Sequence, residues 1–212
     1  MPTYVVAGYG KFGRIAVERV RHEFPDAAIW IVEQDHTTMT RQLPPGIVAV
    51  VADAVQFFAR APDLGVEAIV IPTVPFHLAA RFLFARIPEA GQVPIPVQLS
   101  TLTPNACIPD ASNLCCSRAD FLCPDDCPEG DLCTVTGELR DPLYLELEGL
   151  RVPCFNTVVL RSFQVLPGVG GYLYRDLCDV PNRVRPGLNL IATSCRCHGI
   201  ITALRVPVDE NP

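Results

Sequence analysis

Ten cysteines carry the strongest chemical signal in the chain, and every one lies at or beyond Cys107. Five fall within CCSRADFLCPDDCPEGDLC, from Cys115 to Cys133, and two more in Thr193-Ser194-Cys195-Arg196-Cys197-His198-Gly199. Thiols at this density either pair as disulfides, exchange electrons or hold metals, and the redox compartment decides among these. The chain opens Met1-Pro2-Thr3-Tyr4 and enters Val5-Val6-Ala7 without the basic flank and long apolar core of a secretory leader. That start predicts a cytoplasmic protein, in which cysteines serve metal ligation or redox chemistry rather than a disulfide framework.

Cys123-Pro-Asp-Asp-Cys127 is followed by Cys133 and preceded by Cys115 and Cys116, in a stretch with Pro124, Pro128 and Gly130 for bending. Its lack of hydrophobic periodicity marks a ligand loop rather than a helix or strand. The spacings differ from the two-residue knuckles of zinc ribbons. Cys123-Pro124 and Cys127-Pro128 are similar to the Cys-Pro that closes ferredoxin ligand runs. The predicted centre is therefore an iron–sulfur cluster, with zinc as the alternative and metal-free thiols as the third reading. Cys195, Cys197 and His198 lie at the tip of a predicted hairpin between apolar runs 188–192 and 200–206, where they complete the same site or seed another.

The cysteine-free half reads as a scaffold for a nucleotide. Tyr4 to Ala7 is an apolar run, Gly8-Tyr9-Gly10-Lys11-Phe12-Gly13 follows it, and a helical pattern begins at once. A second apolar run, Ala28-Ile29-Trp30-Ile31-Val32, ends in Glu33, twenty residues beyond Gly13. Strand, glycine turn, helix and a spaced acid form the fingerprint of a dinucleotide site. Gly8 permits the tight turn, Gly10 lets the pyrophosphate approach, and Gly13 lets the helix pack close to the sheet. The helix N-terminus faces the phosphates, and Glu33 suits the ribose hydroxyls, favouring NAD over NADP. The candidate nucleotide set is Gly8, Gly10, Lys11, Phe12, Gly13, Glu33 and Asp53.

Beyond it, strands are predicted over 46–51, 67–71 and 95–99 and helices over 54–60 and 75–87, an alternation that implies a parallel sheet. Residues 1–104 are thus predicted to form a Rossmann-like NAD-binding domain of α/β class. Residues 105–212 form a cysteine-rich, metal-binding region that reads as mostly β, from the apolar stretches 143–150 and 157–165 and the closing hairpin. Between these, Leu166-Pro-Gly168-Val-Gly170-Gly171-Tyr-Leu reads as a turn before a helix reaching Leu177.

VVAGYGKFGRIAVERV, then IVEQD, then VVADAVQFFARAPDLGVEAIVIPT resembles the nucleotide-binding domain of regulators of potassium conductance, cytoplasmic modules of potassium channels and transporters. Ala52-Asp53-Ala54 resembles that family's Gly-Asp-Ala, with Ala52 in place of the glycine. The resemblance covers about the first hundred residues. It implies NAD(H) or another adenine nucleotide at Gly8, Gly10, Gly13, Glu33 and Asp53, a homodimer, and a membrane transporter as partner.

The formal net charge of −6, with Lys11 the only lysine, offers no phosphate-neutralising face, so nucleic-acid binding is not expected. No run of eighteen apolar residues is present, so direct membrane insertion is not expected either. A hydride carrier and a one-electron centre need a flavin or a redox partner protein between them, and no flavin signature is present. The functional expectation is an NAD(H)-binding regulatory or redox-sensing protein with a cysteine-ligated metal centre. The alternatives are an NAD-dependent oxidoreductase with His77 as acid–base, placed just after the fourth predicted strand, and a structural zinc-clamped adaptor.

Overall fold

The computed structural model describes residues 3–39, 43, 45–65 and 67–208. Strand β1 (Thr3–Ala7) leads through a glycine turn into α1 (Lys11–Glu23), and β2 (Ala28–Glu33), α2 (His36–Met39), β3 (Ile47–Val51), α3 (Ala54–Ala59), β4 (Ile69–Pro72) and α4 (Leu78–Arg86) follow. Then come β5 (Gly91–Gln92), α5 (Leu99–Leu102), β6 (Cys107–Asp110), β7 (Asn113–Ser117), α6 (Leu143–Gly149), β8 (Phe155–Arg161), β9 (Phe163–Leu166) and β10 (Val169–Leu173). Helix α7 (Tyr174–Arg183) and the hairpin β11 (Gly187–Ser194) and β12 (His198–Val206) close the chain.

Two mixed sheets result, ordered β3-β2-β1-β4-β10-β9 and β6-β7-β12-β11-β8, with β5 beside β12. The neighbours β3, β2, β1 and β4 run parallel, whereas β10 joins β4 antiparallel, Tyr172 facing Val70. Val- and Ile-rich strands such as β1 and β4 suit such a sheet by burying both faces, whereas the edge strand β3 leaves Val48 and Val51 exposed. Helix α1 buries Gly13, Ala16, Val17 and Val20, the i, i+3, i+4, i+7 stripe, on one face of the first sheet against Tyr4, Val6, Ile29 and Ile31. On the opposite face Val5, Ala7 and Val70 meet Phe58 of α3, Leu78 and Phe82 of α4 and Leu177 of α7. That same core continues into Val158, Leu160, Ile191 and Leu204 of the second sheet, so α3, α4 and α7 lie between the sheets. Helix α6 covers the far face of the second sheet, Leu143 and Leu147 packing on Val159, Leu190 and Ile201. Among the described residues no helix is long and apolar enough to cross a membrane.

Several sequence expectations are corrected. Residues 95–99 are not a strand: Ile95 is followed by a turn and Leu99 opens α5, because Pro94 and Pro96 lack the N–H groups a ladder needs. The strand that flanks β4 is instead β10, supplied from far along the chain. Stretch 143–150 alternates apolar and polar residues like a strand but is helical, since burying Leu143 and Leu147 four apart leaves Leu145 exposed. Gly170 and Gly171 belong to a strand, and the helix starts only at Tyr174; a Cβ on Gly171 would lie 2.8 Å from the Val70 carbonyl oxygen. Residue 104 is not where the sheets part, because β5 joins the second sheet while β9 and β10 join the first.

Candidate functional site

The glycine turn sits at the carboxyl end of β1. Gly8 has φ 97°, in the region that favours glycine, and its N–H donates to Val32 O at 2.8 Å. A Cβ on Gly13 would lie 2.2 Å from Gly8 O, so this position must be glycine for helix and turn to touch. Gly10 differs: nothing lies within 4 Å of where its Cβ would be, and it precedes α1 without a side-chain cap. The first-turn N–H groups of α1 thus receive no side-chain cap from Gly10, and the positive end of the helix dipole lies at this turn. The Lys11 ammonium sits 5.5 Å from the centroid of the Phe12 ring, and Phe12 is itself 64% exposed.

Glu33 stands at the end of β2, where its Oε2 accepts the Tyr9 N–H at 2.7 Å and its Oε1 the Asp35 N–H at 2.9 Å. The carboxylate thus fastens the glycine turn, and each oxygen keeps lone-pair capacity for a further donor. Asp53 caps α3, Oδ1 accepting from Gln56 N at 2.9 Å. Thr73, after β4, donates its hydroxyl to Gly8 O at 2.8 Å and so ties the β4 loop to the turn.

The second site is a cavity of about 300 Å³ into which Cys123, Cys127, Cys133, Cys195, Cys197 and His198 face. The hairpin tip between β11 and β12 brings the last three, and the long loop between β7 and α6 brings the others. Cys123 Sγ lies 3.9 Å from His198 Nε2, and Cys195 Sγ lies 3.9 Å from His198 Nδ1. Glu129, Cys195 and His198 put one donor atom each within 4.8 Å of one another. Bonds of about 2.0–2.3 Å at a tetrahedral ion leave neighbouring donors roughly 3.3–3.8 Å apart, so the two 3.9 Å spacings come close to ligand size, while the 4.8 Å bound on the Glu129 group is wider. Glu129 Oε1 also accepts the Cys197 N–H at 3.0 Å.

Ionising most of these thiols without a cation is electrostatically costly. Burial, and then the Glu129 carboxylate, push the Cys195 thiol up to about 12. Burial followed by Cys127 and Cys133 raises Cys123, and burial followed by Glu129 raises Cys197. Cys133 moves the other way, mainly because the Thr136 N–H bonds its sulfur at 3.5 Å. A bound cation reverses this balance by favouring every thiolate at once.

Cys115 and Cys116, also predicted as ligands, are not part of this assembly. Both lie on β7: Cys116 is 3% exposed in the second sheet's core, and burial holds its thiol up at about 12. Cys115 points away from it, directly across the strand pair from Cys107. Adjacent strand residues face opposite sides of a sheet, and neither residue lines the thiol cavity, although both line a neighbouring pocket with Cys107, Cys195 and His198. His77, the acid–base candidate, is the residue before α4 and 6% exposed, its Nδ1 2.7 Å from Thr202 Oγ1 and its Nε2 2.8 Å from Thr193 Oγ1. It fastens α4 to the second sheet, and burial lowers its pKa to about 3.

Several residues of the thiol cavity escaped the sequence reading. Phe12, Ile15 and Arg19 of α1 form one wall, and Gln164 and Gly168 from β9 and the β9–β10 turn form another. Arg19 Nη1 donates to Asp125 O at 2.9 Å and Pro167 O at 2.6 Å, pinning the cysteine loop to α1. Gln164 Oε1 is buried with no hydrogen-bond partner among the described residues. Glu129 was legible in principle, as an acid within the cysteine loop, whereas α1 contributes nothing that its sequence marks.

Residues 76–207 match the family model AF_1314_C, described as an uncharacterized protein, C-terminal domain. The chain belongs to that family. The AF_1314_C segment contains all ten cysteines, His77 and the whole second sheet, while the glycine turn and α1 precede it. A protein of Archaeoglobus fulgidus, itself described as an uncharacterized protein, is 28% identical over 148 residues, covering 64% of each chain. The chain thus spans under two thirds of that relative's length. No solved structure matches.

Proposed function

We propose that the protein binds NAD(H) at the turn between β1 and α1, holds a cysteine-ligated metal centre in the thiol cavity, and acts as a redox-responsive regulator in which each site biases the other. The observation that carries this reading is that α1 serves both places: its N-terminus opens the glycine turn, and its Phe12, Ile15 and Arg19 wall the cavity. The Rossmann-like assignment draws on the parallel order β3-β2-β1-β4, on Gly8 and Gly13, and on the crevice beside β1 and β4, where the strand order changes direction. Gly10 leaves room for a pyrophosphate, with Lys11 and Phe12 beside it; Glu33, which also holds the turn, receives a ribose, and Asp53 lies at the neighbouring strand end.

For the metal, the candidate ligands are Cys123, Cys127, Cys133, Cys195, Cys197 and His198, which line one cavity, and the roughly 300 Å³ available exceeds what one ion requires. That room favours an iron–sulfur cluster, which supplies one-electron chemistry to a site whose neighbour carries hydrides. The protein's own contribution is to crowd soft thiolates in a half-buried loop and to hold that loop on α1 through Arg19. Zinc is the second reading, favoured by the grouping of Glu129, Cys195 and His198, one donor atom of each lying within 4.8 Å of the others. Regulation, rather than NADH-to-cluster turnover, follows from the absence of an intermediate flavin carrier in the sequence pattern. A homodimer, a cytoplasmic location and a transporter or redox protein as partner complete the proposal.

Anaerobic purification followed by metal and sulfide analysis tests the centre, and NADH titration of metal-loaded and metal-stripped protein tests the coupling. Reciprocity requires that metal loading change NADH affinity by the factor by which NADH changes metal affinity. Equal NADH affinity in both forms removes the regulator reading, and protein with neither iron nor zinc removes the centre.

A further inference from the structure

A pair of thiols stands apart from the thiol cavity, at the edge of the second sheet. Strand β6 is an outermost strand of that sheet, and Cys107 on it is paired in register with Cys115 on β7. Residues directly opposite in an antiparallel pair present their side chains on the same face, with Cα atoms roughly 4.5–5.5 Å apart. A disulfide needs about 4.4–6.8 Å between Cα atoms, so a bond between these two sulfurs asks for side-chain rotation and little movement of the backbone. The pairing is held at both ends. At the turn, Asp110 Oδ1 accepts the N–H groups of Ser112 at 2.9 Å and Asn113 at 3.0 Å. At the open end, Ser117 N donates to Pro104 O at 3.0 Å and Asn105 Nδ2 donates to Ser117 O at 3.0 Å. The register shift in this strand pair falls between Cys107 and Asp110 and leaves Cys107 opposite Cys115.

Both thiols are free, Cys107 exposed and Cys115 half-buried, and both line an open groove that Cys195 and His198 also line. Neither lines the cavity that collects Cys123, Cys127 and Cys133. Burial raises the Cys115 thiol, and the charges of Cys107 and Asp110 raise it further, so the two sulfurs feel one another. Thiolates side by side repel, and an S–S bond removes both charges. Cys116, the next residue in the chain, is turned into the core of the sheet and does not compete. Cys195 shares the groove, but the residue opposite Cys115 on β12 is Ile200.

We propose that Cys107 and Cys115 form a reversible dithiol–disulfide site that takes its oxidising equivalents from low-molecular-weight disulfides. The exposed Cys107 sulfur gives its proton to solvent and attacks one sulfur of the small disulfide, whose S–S bond breaks and releases one small thiolate. Cys115 then gives up its proton and attacks Cys107 Sγ, the mixed disulfide breaks, and a second small thiolate leaves. The departing thiolates take up the two protons, so one small disulfide is reduced to two thiols while two protein thiols become one disulfide. Asp110 lies near enough for its charge to act on Cys115, so an uncharged disulfide suits the place better than an anionic one. The site uses neither the nucleotide nor the metal.

Bis(2-hydroxyethyl) disulfide, which carries no charge, tests the site on the reduced full chain, with alkylation and peptide mapping as the readout. In wild type, Cys107 and Cys115 become protected together and are recovered as one linked pair. Cleavage before Asp110 falls between them, and fragmentation of the linked peptides distinguishes Cys115 from Cys116. Cys115→Ser stops at the mixed disulfide on Cys107, at a level at least about tenfold above that in wild type, because a partner held opposite acts at an effective concentration that a dissolved thiol does not reach. A wild-type link from either residue to any other cysteine overturns the proposal. So does a mixed disulfide on Cys107 that persists equally in wild type and Cys115→Ser, and so does a Cys107 that does not react. Thermal melts of the reduced proteins, matching between wild type and variant, show that the lost link reports the missing sulfur and not an altered fold.

Discussion

A Cβ on Gly168 would lie 1.8 Å from the carbonyl oxygen of Asp125, and Gly168 itself has φ 71°. The turn between β9 and β10 therefore supports the cysteine loop by direct backbone contact, reinforced by Gly168 N donating to Cys127 O at 3.2 Å. Gly168→Ala meets both a forbidden overlap and a disfavoured backbone conformation, so the loop must lift away. The expected outcome is loss of most bound metal and a stability loss of about 1–3 kcal/mol. Metal-to-protein ratio and urea midpoint, read on the same preparations, check it. Arg19→Met, which frees the same loop without backbone strain, should lower metal affinity while leaving the midpoint within about 1 kcal/mol of wild type.

The glycines of the first turn separate binding from folding. Gly10→Val places a side chain only in open space and should abolish NADH binding with little change in thermal stability, measured by fluorescence titration and melting. Gly13→Ala drives a methyl group into Gly8 O and should destabilise the chain by several kcal/mol whether or not nucleotide is present. Equal stability of the two variants would mean that helix and turn are not packed as described.

Cysteine substitutions divide along the same boundary. Cys123→Ser should reduce metal content sharply, because Cys123 faces His198 in the cavity, and should leave the unfolding midpoint of metal-free protein close to wild type. Cys116→Ala should leave metal content intact and cost about 1–2 kcal/mol through lost packing in the second sheet's core. Elemental analysis and chemical denaturation of both variants give the comparison.

His77 predicts a pH dependence of stability. Folding lowers its pKa from 6.5 to about 3, so between those values the unfolded chain takes up a proton that the folded chain refuses. Stability therefore falls as pH drops through this window, with a slope approaching about 1.4 kcal/mol per pH unit, and the loss is complete below about pH 3. Arg81, Asp110 and Cys115 line a cavity with His77; Asp110 has a lowered pKa and Cys115 a raised one, so neither titrates across most of the window. The difference in urea midpoint between wild type and His77→Gln, followed against pH, should show that slope; parallel curves would place the histidine in water.

Local pattern was enough for the features that are local. A strand, three glycines with fixed spacing, an amphipathic stripe and an acid twenty residues on determine the turn after β1, and the apolar runs on either side of Cys195 to His198 determine a hairpin with Cys195, Cys197 and His198 at its tip. Those readings depend on backbone sterics and hydrophobic period, which neighbouring residues carry themselves. Pairing between distant segments was decided only by the tertiary structure. Nothing near β4 announces that β10 lies beside it, and nothing in α1 announces that Arg19 holds Asp125. The ten cysteines are alike in sequence, yet the pleat of β7 turns Cys116 into a core and Cys115 toward Cys107, while two remote loops gather five others around His198. Which thiols can share a charge depends on burial and distance, and both come from how the sheets stack rather than from the order of residues.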